Sequence, residues 1–387
     1  MIERTLFTPD HLAFRDSYQR FTDHEIAPHH AVWEQQGFVD RSVWEKAGAN
    51  GFLCMTMPVQ YGGAGADRLY AVAQMEVNAA GGYSGIGFGL HNEIVAPYID
   101  RYGTPAQKEK YLPPMARGTS IGAIAMSEPA AGSDLQGIKT TAIRQDDGSF
   151  LLSGSKTFIT NGWHCDLVIV VAKTDPAAGA HGISLLLVER GMPGFEKGKR
   201  LQKLGLKAQD TSELFFDNVR VPAEQVLGGD AMLGKGFVCL MQELPWERLQ
   251  IAIGAVAAAQ AAIDQTIAYV QQRKIFGSTV AGFQHTRFTL AELQTEVQVA
   301  RVFVDKCVEL VLQGQLDTAT ASMAKYWCSD LQCKVMDECL QLFGGYGYMW
   351  EYPIARAFAD ARVQRIYGGT NEIMKEIITR SMGLAGT

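Results

Sequence analysis

The chain has 387 residues, of which 47% are hydrophobic and 20% are charged, an ordinary composition for a soluble globular protein of two or three domains. The formal net charge is −6 and the 35 lysines and arginines are spread along the chain, so nothing in the charge pattern supports nucleic-acid binding. No run of about 18 apolar residues predicts a membrane span. The first residues contain early acids and lack an apolar core, which is typical of neither a signal peptide nor a transit peptide.

The cysteines and histidines indicate no metal site. Seven cysteines form no CxxC pair, and eight histidines form no HExxH cluster. Cys328, Cys333 and Cys339 fall in one predicted helix without the spacing of metal ligands. We therefore expect no metal, and reduced cysteines in a cytosol-like compartment.

Residues 1–120 have the periodicity of an all-α domain. Apolar side chains recur at helical spacing between short turns. The predicted helices are 11–21, 42–49, 69–79, 91–102 and 105–116. The glycine-rich segment 81–89 has no strand before it, so it predicts close helix packing or a cavity wall rather than a dinucleotide loop.

Residues 121–230 change to a strand-like pattern. Asp147-Gly148 predicts a hairpin turn before a strand at 149–153. Further strands are predicted at 167–172, 183–188, 214–216 and 219–221. Because no segment of helix length separates them, we expect a mainly antiparallel barrel or sandwich.

Residues 231–387 return to a helical pattern. Helices are predicted at 251–273, 284–312, 318–342 and 370–382, and several exceed the length of an average globular helix, which favours a bundle. The sequence therefore predicts an α+β fold with an N-terminal all-α domain (1–120), a middle antiparallel β-domain (121–230) and a C-terminal α-helical bundle (231–387).

Five short segments have compositions suited to ligand contact, although each could also be an ordinary loop or strand end. The first offers hydroxyls and backbone amides, the second an aromatic ring that could stack on another ring. The third contains an arginine able to clamp phosphate, and the last has two glycines before a helix start, which suits an anion. They are 124–134 (IAMSEPAAGSD), 154–162 (GSKTFITNG), 273–284 (RKIFGSTVAGFQ), 341–345 (QLFGG) and 366–372 (IYGGTNE).

Together and in this order, the five segments resemble the acyl-CoA dehydrogenase family over essentially the full chain. The strings GAIAMSEPAAGSDLQGIKT, LGLKAQDTSELFF, GYMWEYPIA and IYGGTNEIMKE are most similar to the long-chain acyl-CoA dehydrogenases. The resemblance implies a C-terminal four-helix bundle, a homotetramer built as a dimer of dimers, and FAD as the cofactor. It also implies a role in fatty-acid β-oxidation, in the bacterial cytoplasm or, for a mature eukaryotic chain, the mitochondrial matrix.

The resemblance implies three groups of FAD contacts. Phe158 stands where many members have tryptophan, and the adenine and phosphate end of FAD is held partly by a neighbouring subunit. The flavin-ring contacts are Ile124, Ala125, Met126, Ser127, Ser133, Phe158, Ile159 and Thr160. The contacts shared with the neighbouring subunit are Arg273, Phe276, Gln284, Gln341, Gly344 and Gly345, and those near the pyrophosphate are Thr370, Asn371 and Glu372.

The family reaction needs a base, and the usual position of that base is empty here. The base takes the α-proton of an acyl-CoA thioester while a hydride leaves the β-carbon for the flavin, and the electrons pass to electron-transfer flavoprotein. Many members carry this glutamate directly after the tyrosine of the last loop, where this chain has Gly368. In the long-chain and isovaleryl branches the base lies in an ERL sequence, which Glu247-Arg248-Leu249 matches.

The base is therefore predicted to be Glu247, in the segment 241–250 (MQELPWERLQ). Read without the resemblance, this segment is an ordinary helix start, because proline and acids suit a first helical turn. Glu243 is the rival carboxylate, and Pro245 is expected to kink the helix and aim Glu247 inward. The substrate-side positions implied by the resemblance are Ser133, Ala180, His181, Val238, Pro245, Arg248 and Gly368, whose N–H would bind the thioester oxygen.

Three alternatives remain open from the sequence. The enzyme could be a short- or branched-chain dehydrogenase of the isovaleryl type. It could be an oxidase or flavin monooxygenase of the same fold, in which case it would consume dioxygen during turnover. It could also be an inactive homologue that serves as a binding or assembly protein, in which case it would not take up FAD.

Overall fold

The N-terminal part of the chain is helical. The computed structural model describes residues 2–384. The helices are α1 (Pro9–Phe21), α2 (Ala27–Gln36), α3 (Arg41–Ala49), α4 (Arg68–Ala80), the single turn α5 (Phe88–Leu90), α6 (Ala96–Tyr102) and α7 (Pro105–Ala116). The segment 91–102, predicted to be one helix, begins as a π-helical turn, His91–Val95. The sequence does not predict α2, because its ten residues bury only His30 and Trp33 and lack an apolar repeat.

The middle part is a twisted sheet that is mainly antiparallel, as expected. Its strands are β1 (Gly122–Ala125), β2 (Thr141–Arg144), β3 (Phe150–Thr160), β4 (Leu167–Lys173), β5 (Ile183–Glu189), β6 (Phe195–Arg200) and β7 (Thr211–Val221). Their order is β1-β4-β2-β3-β7-β6, with β5 paired to β4. Only the pairings of β1 and β2 with β4 are parallel among these strands of the described chain.

The predicted strands 214–216 and 219–221 are parts of the single strand β7, and β1, β2 and β6 are additional strands. The sequence does not predict β6, because FEKGKR is polar and stays partly exposed along its whole length. The hairpin at Asp147-Gly148 is confirmed: it joins β2 to β3, and Gly148 has the positive φ of +84° that such a turn requires.

The C-terminal part is a bundle around one long helix. Its elements are α8 (Gly236–Gln272), the short hairpin β8 (Lys274–Ile275) and β9 (Ser278–Thr279), α9 (Gln284–Leu312), α10 (Thr318–Phe343), α11 (Pro353–Ala361) and α12 (Asn371–Ser381). Helix α8 begins at Gly236 rather than at the predicted residue 251. Pro245 therefore lies inside the helix, and the interpretation of segment 241–250 as a first turn is wrong.

Helix α8 is the core of the bundle. Between residues 252 and 263 small and β-branched side chains are buried against α4, α9 and α10, and their size allows close approach of the neighbouring helices. By length and composition α8 could cross a membrane, but half of its most apolar window is buried inside the fold. Its place among three packed helices identifies it as a core helix.

A buried charge network ties the N-terminal residues to the bundle. Arg4 donates paired hydrogen bonds to Glu76 on α4 (3.0 Å each) and to Asp305 on α9 (2.7 and 2.8 Å). Arg301, also on α9, donates to Glu76 at 2.7 Å. Glu76 thus pairs with two arginines and joins α4 to α9.

We expect Glu76→Ala to destabilise the protein by about 3–5 kcal/mol, because it leaves Arg4 paired with Asp305 alone and removes the ion-pair partner of the largely buried Arg301. The melting temperature should fall by several degrees. Glu296→Ala is the matched control: it removes an exposed ion pair with Lys334, which should cost less than about 1 kcal/mol. Equal melting temperatures for the two variants would contradict the prediction.

Candidate active site

A cleft of about 930 Å³ lies where the helical N-terminal part, the sheet and the bundle meet. Its walls come from α4, the glycine-rich loop before α6, the loop after β1, the end of β3, and helices α8, α10, α11 and α12. The predicted glycine-rich cavity wall at 81–89 is confirmed, because residues 82–85, 87 and 89 line the cleft. The volume is at the upper end of the range for small-molecule sites.

The two segments expected to contact a flavin ring lie side by side in one wall of this cleft. The residues that line it are Ile124, Met126, Ser127, Ser133, Phe158, Ile159 and Thr160. Ala125 does not line it: its side chain is fully buried in the core of the sheet. Because neighbouring side chains on a strand point to opposite faces, only the backbone of Ala125 is available to a ligand.

Phe158 projects from the sheet into the cleft. The register of β3 against β7 shifts between Lys156 and Ile159, which marks a β-bulge around Phe158. Phe158 has φ of +60°, a strained conformation for a residue with a side chain, and its side chain is 70% exposed. The alternative interpretation of Phe158 as a buried strand-end residue is therefore wrong, and its ring is free to stack on a planar group.

A buried ion pair joins the two segments, and the sequence gives no signal for it. Lys156 Nζ donates to Glu128 Oε1 at 2.8 Å and to the Met126 carbonyl at 3.0 Å. Glu128 also accepts the N–H groups of Lys139 and Thr140 at 2.6 and 3.0 Å. Burial lowers the pKa of Lys156 to about 8, although Glu128 opposes this shift. Burial would raise the pKa of Glu128, but its hydrogen bonds outweigh that effect and hold the pKa below its usual value.

The residues expected to serve a neighbouring subunit lie outside the cleft. Arg273, Phe276, Gln284, Gln341, Gly344 and Gly345 are all exposed, and the Phe276 side chain is 94% exposed. The Arg273 guanidinium lies 5.4 Å from the centre of the Tyr346 ring, so the third and fourth ligand segments meet on one surface. None of these six residues lines this chain's own cleft.

The start of α12 only partly matches its predicted role. Thr370 caps the helix and its hydroxyl accepts the Ile373 N–H at 3.4 Å, while Glu372 is exposed. Asn371 is buried, and its side-chain amide bonds with Lys325 (2.9 Å) and Ser329 (3.0 Å) on α10. Because the bundle occupies these side-chain groups, any contact of Asn371 with a cofactor falls to its backbone.

Glu247 lies in the cleft wall, with only 9% of its surface exposed. The Tyr98 hydroxyl on α6 donates to Glu247 Oε1 at 3.1 Å. Burial raises the pKa of Glu247 to about 7; the Tyr98 hydrogen bond and the Arg248 charge oppose this shift, and the Glu243 charge adds to it. A carboxylate with this pKa is a suitable general base near neutral pH.

Glu243, the rival carboxylate, does not line the cleft. It lies one turn earlier on α8, and Arg101 and Tyr102 of α6 donate to its Oε1 at 2.8 and 2.6 Å. A carboxylate already held by a cation and a hydroxyl is a poor candidate for taking a proton from a ligand in the cleft.

The loop at Gly368 and Gly369 lines the cleft beside α8, and two cations bind its carbonyl groups. Arg248 Nε donates to the Gly368 carbonyl at 3.4 Å, and the fully buried Lys325 donates to the Gly369 carbonyl at 2.7 Å. Gly368 has φ of +67°, and an added Cβ would lie 2.5 Å from Ile251 Cδ1. Within residues 2–384 the Gly368 N–H has no acceptor, so it can bind an anionic oxygen.

The predicted substrate-side residues separate into two groups. Ser133, Arg248 and Gly368 line the cleft. Ala180 and His181 lie on the turn Pro176–Gly182 near the start of α8, where Gly234 allows close approach to the His181 carbonyl. The exposed Val238 and the half-buried Pro245 are on α8 but outside the cleft wall.

In the part of the chain that the structure describes, all seven cysteines are free thiols. No group of three or more histidine, cysteine, aspartate or glutamate side chains there could hold a metal ion.

Comparison with known proteins agrees with this architecture. The chain matches the family models for the acyl-CoA dehydrogenase N-terminal domain at residues 8–119, the middle domain at 123–219 and the C-terminal domain at 234–383. It is 54% identical over 381 residues to a mitochondrial long-chain specific acyl-CoA dehydrogenase of Mus musculus, covering 98% of this chain and 88% of that protein.

Two solved structures show the same fold. An acyl-CoA dehydrogenase from Geobacillus kaustophilus is 47% identical with a TM-score of 0.95, covering 98% of this chain and 100% of that one. An acyl-CoA dehydrogenase from Bacillus anthracis, complexed with FAD, is 30% identical with a TM-score of 0.90, covering 98% of this chain and 70% of that one.

The raised pKa of Glu247 predicts a pH-dependent cost to stability. Below about pH 4.5, the ordinary pKa, the carboxyl is neutral in both states. Between about pH 4.5 and 7 the unfolded chain ionises it while the folded protein keeps it neutral, so the free energy of unfolding falls across that range and no further above it. We expect Glu247→Gln to be more stable than the wild type by about 3 kcal/mol at pH 8 and nearly equal at about pH 4, measured by thermal melting. The exposed variant Glu296→Gln should show no such pH dependence. A melting difference that is the same at both pH values would refute the raised pKa.

Proposed function

The chain belongs to the acyl-CoA dehydrogenase family, and from that premise we propose that it oxidises long-chain acyl-CoA with Glu247 as the catalytic base. It is a flavin oxidoreductase that acts on acyl-CoA thioesters. One observation carries the finer proposal: a buried carboxylate with a pKa near 7 lines the cleft, while residue 368 of the glycine loop has no side chain.

The chemistry asks two things of the protein. Glu247 accepts the α-proton of the thioester, and burial keeps this carboxylate basic enough to do so near neutral pH. The Gly368 N–H binds the thioester oxygen, where negative charge develops as the proton leaves. Arg248 and Lys325 hold the carbonyls of the glycine loop and add positive charge beneath it. The leaving α-proton thus has an acceptor, and the developing charge has fixed donors.

The proposed cofactor is FAD, which when bound accepts the hydride that leaves the β-carbon. The fit rests on Phe158, a strained and exposed aromatic side chain next to a row of hydroxyls at Ser127, Ser133 and Thr160. These groups suit a planar ring with polar edges. The Bacillus anthracis relative was crystallised with FAD, which supports the same cofactor here.

Two further parts of the cofactor site are proposed. Thr370 and Glu372, with the backbone of Asn371, lie at the start of α12, where free amides favour a pyrophosphate. The exposed group formed by Arg273, Phe276, Gln284, Gln341, Gly344 and Gly345 would bind the cofactor of a neighbouring subunit in a homotetramer. Its exposure and its distance from this chain's own cleft support that assignment.

A long acyl chain suits the far end of the cleft. Apolar side chains from four helices line it, including Met75 on α4, Ala258 on α8, Met336 on α10 and Ile377 on α12. The Mus musculus relative is named as long-chain specific. Gly368 carries no side chain, which is also compatible with a branched acyl group, so a branched-chain preference is the alternative. Electron-transfer flavoprotein is the proposed acceptor, in fatty-acid β-oxidation.

We expect Glu247→Gln to keep FAD and acyl-CoA binding but to reduce the flavin at least about 10³-fold more slowly, because the amide cannot accept the α-proton. The measurement is anaerobic bleaching of the flavin after mixing with long, short and branched acyl-CoAs. Glu243→Gln should retain rapid reduction, since Glu243 lies outside the cleft. Rapid bleaching in Glu247→Gln would eliminate it as the base.

A second prediction moves the base to the loop. In the Glu247→Gln background, Gly368→Glu with Ile251→Ala should restore reduction by straight-chain substrates at least about tenfold. The Ile251 change removes the atom that a Cβ at residue 368 would meet at 2.5 Å. The matched control carries Gly368→Gln in place of Gly368→Glu and should show no recovery. Equal rates for the two triple variants would contradict the proposal that a carboxylate at residue 368 can replace Glu247 as the base.

A further inference from the structure

Tyr98 is a buried tyrosine whose hydroxyl has one partner in the described chain. It lies on α6 with no exposed surface, packed among apolar residues that include Val95, Ile99 and Leu240. Its hydroxyl donates to Glu247 Oε1 at 3.1 Å. A phenylalanine would fill the same apolar space without burying a polar group, so the hydroxyl is explained by the carboxylate that it binds.

We propose that Tyr98 is a positioning residue that holds the carboxylate of Glu247 for proton abstraction. Its hydroxyl binds Oε1 and thereby restricts the rotation of the carboxylate, which leaves Oε2 to accept the α-proton. This inference rests on the proposed role of Glu247 as the base. Within residues 2–384, Tyr98 is the one group that makes a hydrogen bond to the Glu247 side chain.

The contact between α6 and α8 also sets how basic Glu247 is. The hydrogen bond from Tyr98 favours the ionised carboxylate and opposes the effect of burial. Glu243, held by Arg101 and Tyr102, acts in the opposite direction through its negative charge.

The remaining charge near Glu247 is Arg248 on α8, which favours ionisation. The groups that face the base are therefore Tyr98 from α6 and Glu243 and Arg248 from its own helix. Two neighbours can be changed with opposite expected signs: loss of the Tyr98 hydroxyl should raise the pKa of Glu247, and loss of the Glu243 charge should lower it. A purely structural role for Tyr98 would not produce this pattern.

The test uses a readout that depends on the base alone. A long-chain 3-oxa-acyl-CoA has α-hydrogens, but an oxygen replaces its β-carbon, so it can exchange the α-hydrogens and cannot be dehydrogenated. Exchange into D₂O, followed by mass spectrometry on the FAD-loaded enzyme, reports proton abstraction as a function of pH. The rate should rise with pH as Glu247 ionises, with its midpoint near the pKa of that carboxyl.

In Tyr98→Phe the midpoint should move upward by about one pH unit or more, because a hydrogen bond to a charged group is lost. The plateau rate above the midpoint should fall about tenfold as the carboxylate loses its fixed orientation. Glu243→Gln should move the midpoint downward. Incorporation of 3-fluorotyrosine at residue 98, a stronger donor of nearly the same shape, should also move it downward, and it serves if Tyr98→Phe folds poorly.

Tyr111→Phe is the matched control. Tyr111 is a buried tyrosine on α7 whose hydroxyl donates to Glu189 at 2.8 Å, and neither residue lines the cleft. Its loss should leave the midpoint and the plateau unchanged, which separates a general effect of removing a buried tyrosine hydroxyl from an effect on the base.

The positioning role of Tyr98 and the role of Glu247 as the base are disproved by different results. If Glu247→Gln abolishes exchange but Tyr98→Phe leaves both midpoint and plateau at the wild-type values, Tyr98 has no positioning role and Glu247 remains the base. If Glu247→Gln still exchanges α-hydrogens at the wild-type rate, the assignment of the base falls and the role of Tyr98 falls with it.

Discussion

The buried ion pair between Glu128 and Lys156 is the constraint on which the cleft depends. It fastens the loop after β1 to the bulged end of β3, and the Thr157 N–H, which donates to the Ser127 carbonyl at 3.0 Å, reinforces the junction. A buried pair is favourable only when further hydrogen bonds satisfy both ions, and here two backbone amides and a carbonyl do so. These contacts fix Lys156 and Thr157, the two residues just before Phe158. They help to hold Phe158 at a positive φ, a conformation that costs about 1–3 kcal/mol.

Two ionisable side chains at or behind the cleft wall have pKa values shifted toward neutral pH. Burial raises the pKa of Glu247 to about 7 and lowers the pKa of Lys325 to about 8. Neither charge is paired directly with an opposite charge by a hydrogen bond. Glu247 accepts a hydrogen bond from a neutral tyrosine hydroxyl, and Lys325 donates to a backbone carbonyl and to an amide oxygen. These neutral partners offset only part of the cost of burying each charge. Such groups reduce the stability of the fold and are concentrated where chemistry needs them.

Much of the fold could be predicted from sequence, because long helices and apolar strands carry periodic patterns. The start of α8 could not, because Pro245 and two acids are as typical of a helix start as of a functional interior turn. Residue type also failed to predict exposure at two positions. A β-bulge exposes the apolar ring of Phe158, and hydrogen bonds to the bundle bury the polar amide of Asn371. Glu247 was identifiable because Gly368 leaves the alternative position without a carboxylate. Tyr98 was not, since its partner lies 149 residues away and local spacing encodes no such contact.

The all-glycine wall at Gly368 and Gly369 has a consequence for how such an enzyme can diversify. In the proposed mechanism the proton acceptor is on a core helix and the oxygen-binding amide is on a loop. Arg248 and Gly368, which join the two elements, are 120 residues apart in sequence. Mutations in the loop can therefore reshape the space beside the reacting carbons while the proton acceptor stays in place. A lineage with this arrangement can explore new acyl groups by local drift, whereas a lineage with both functions on one loop must change them together.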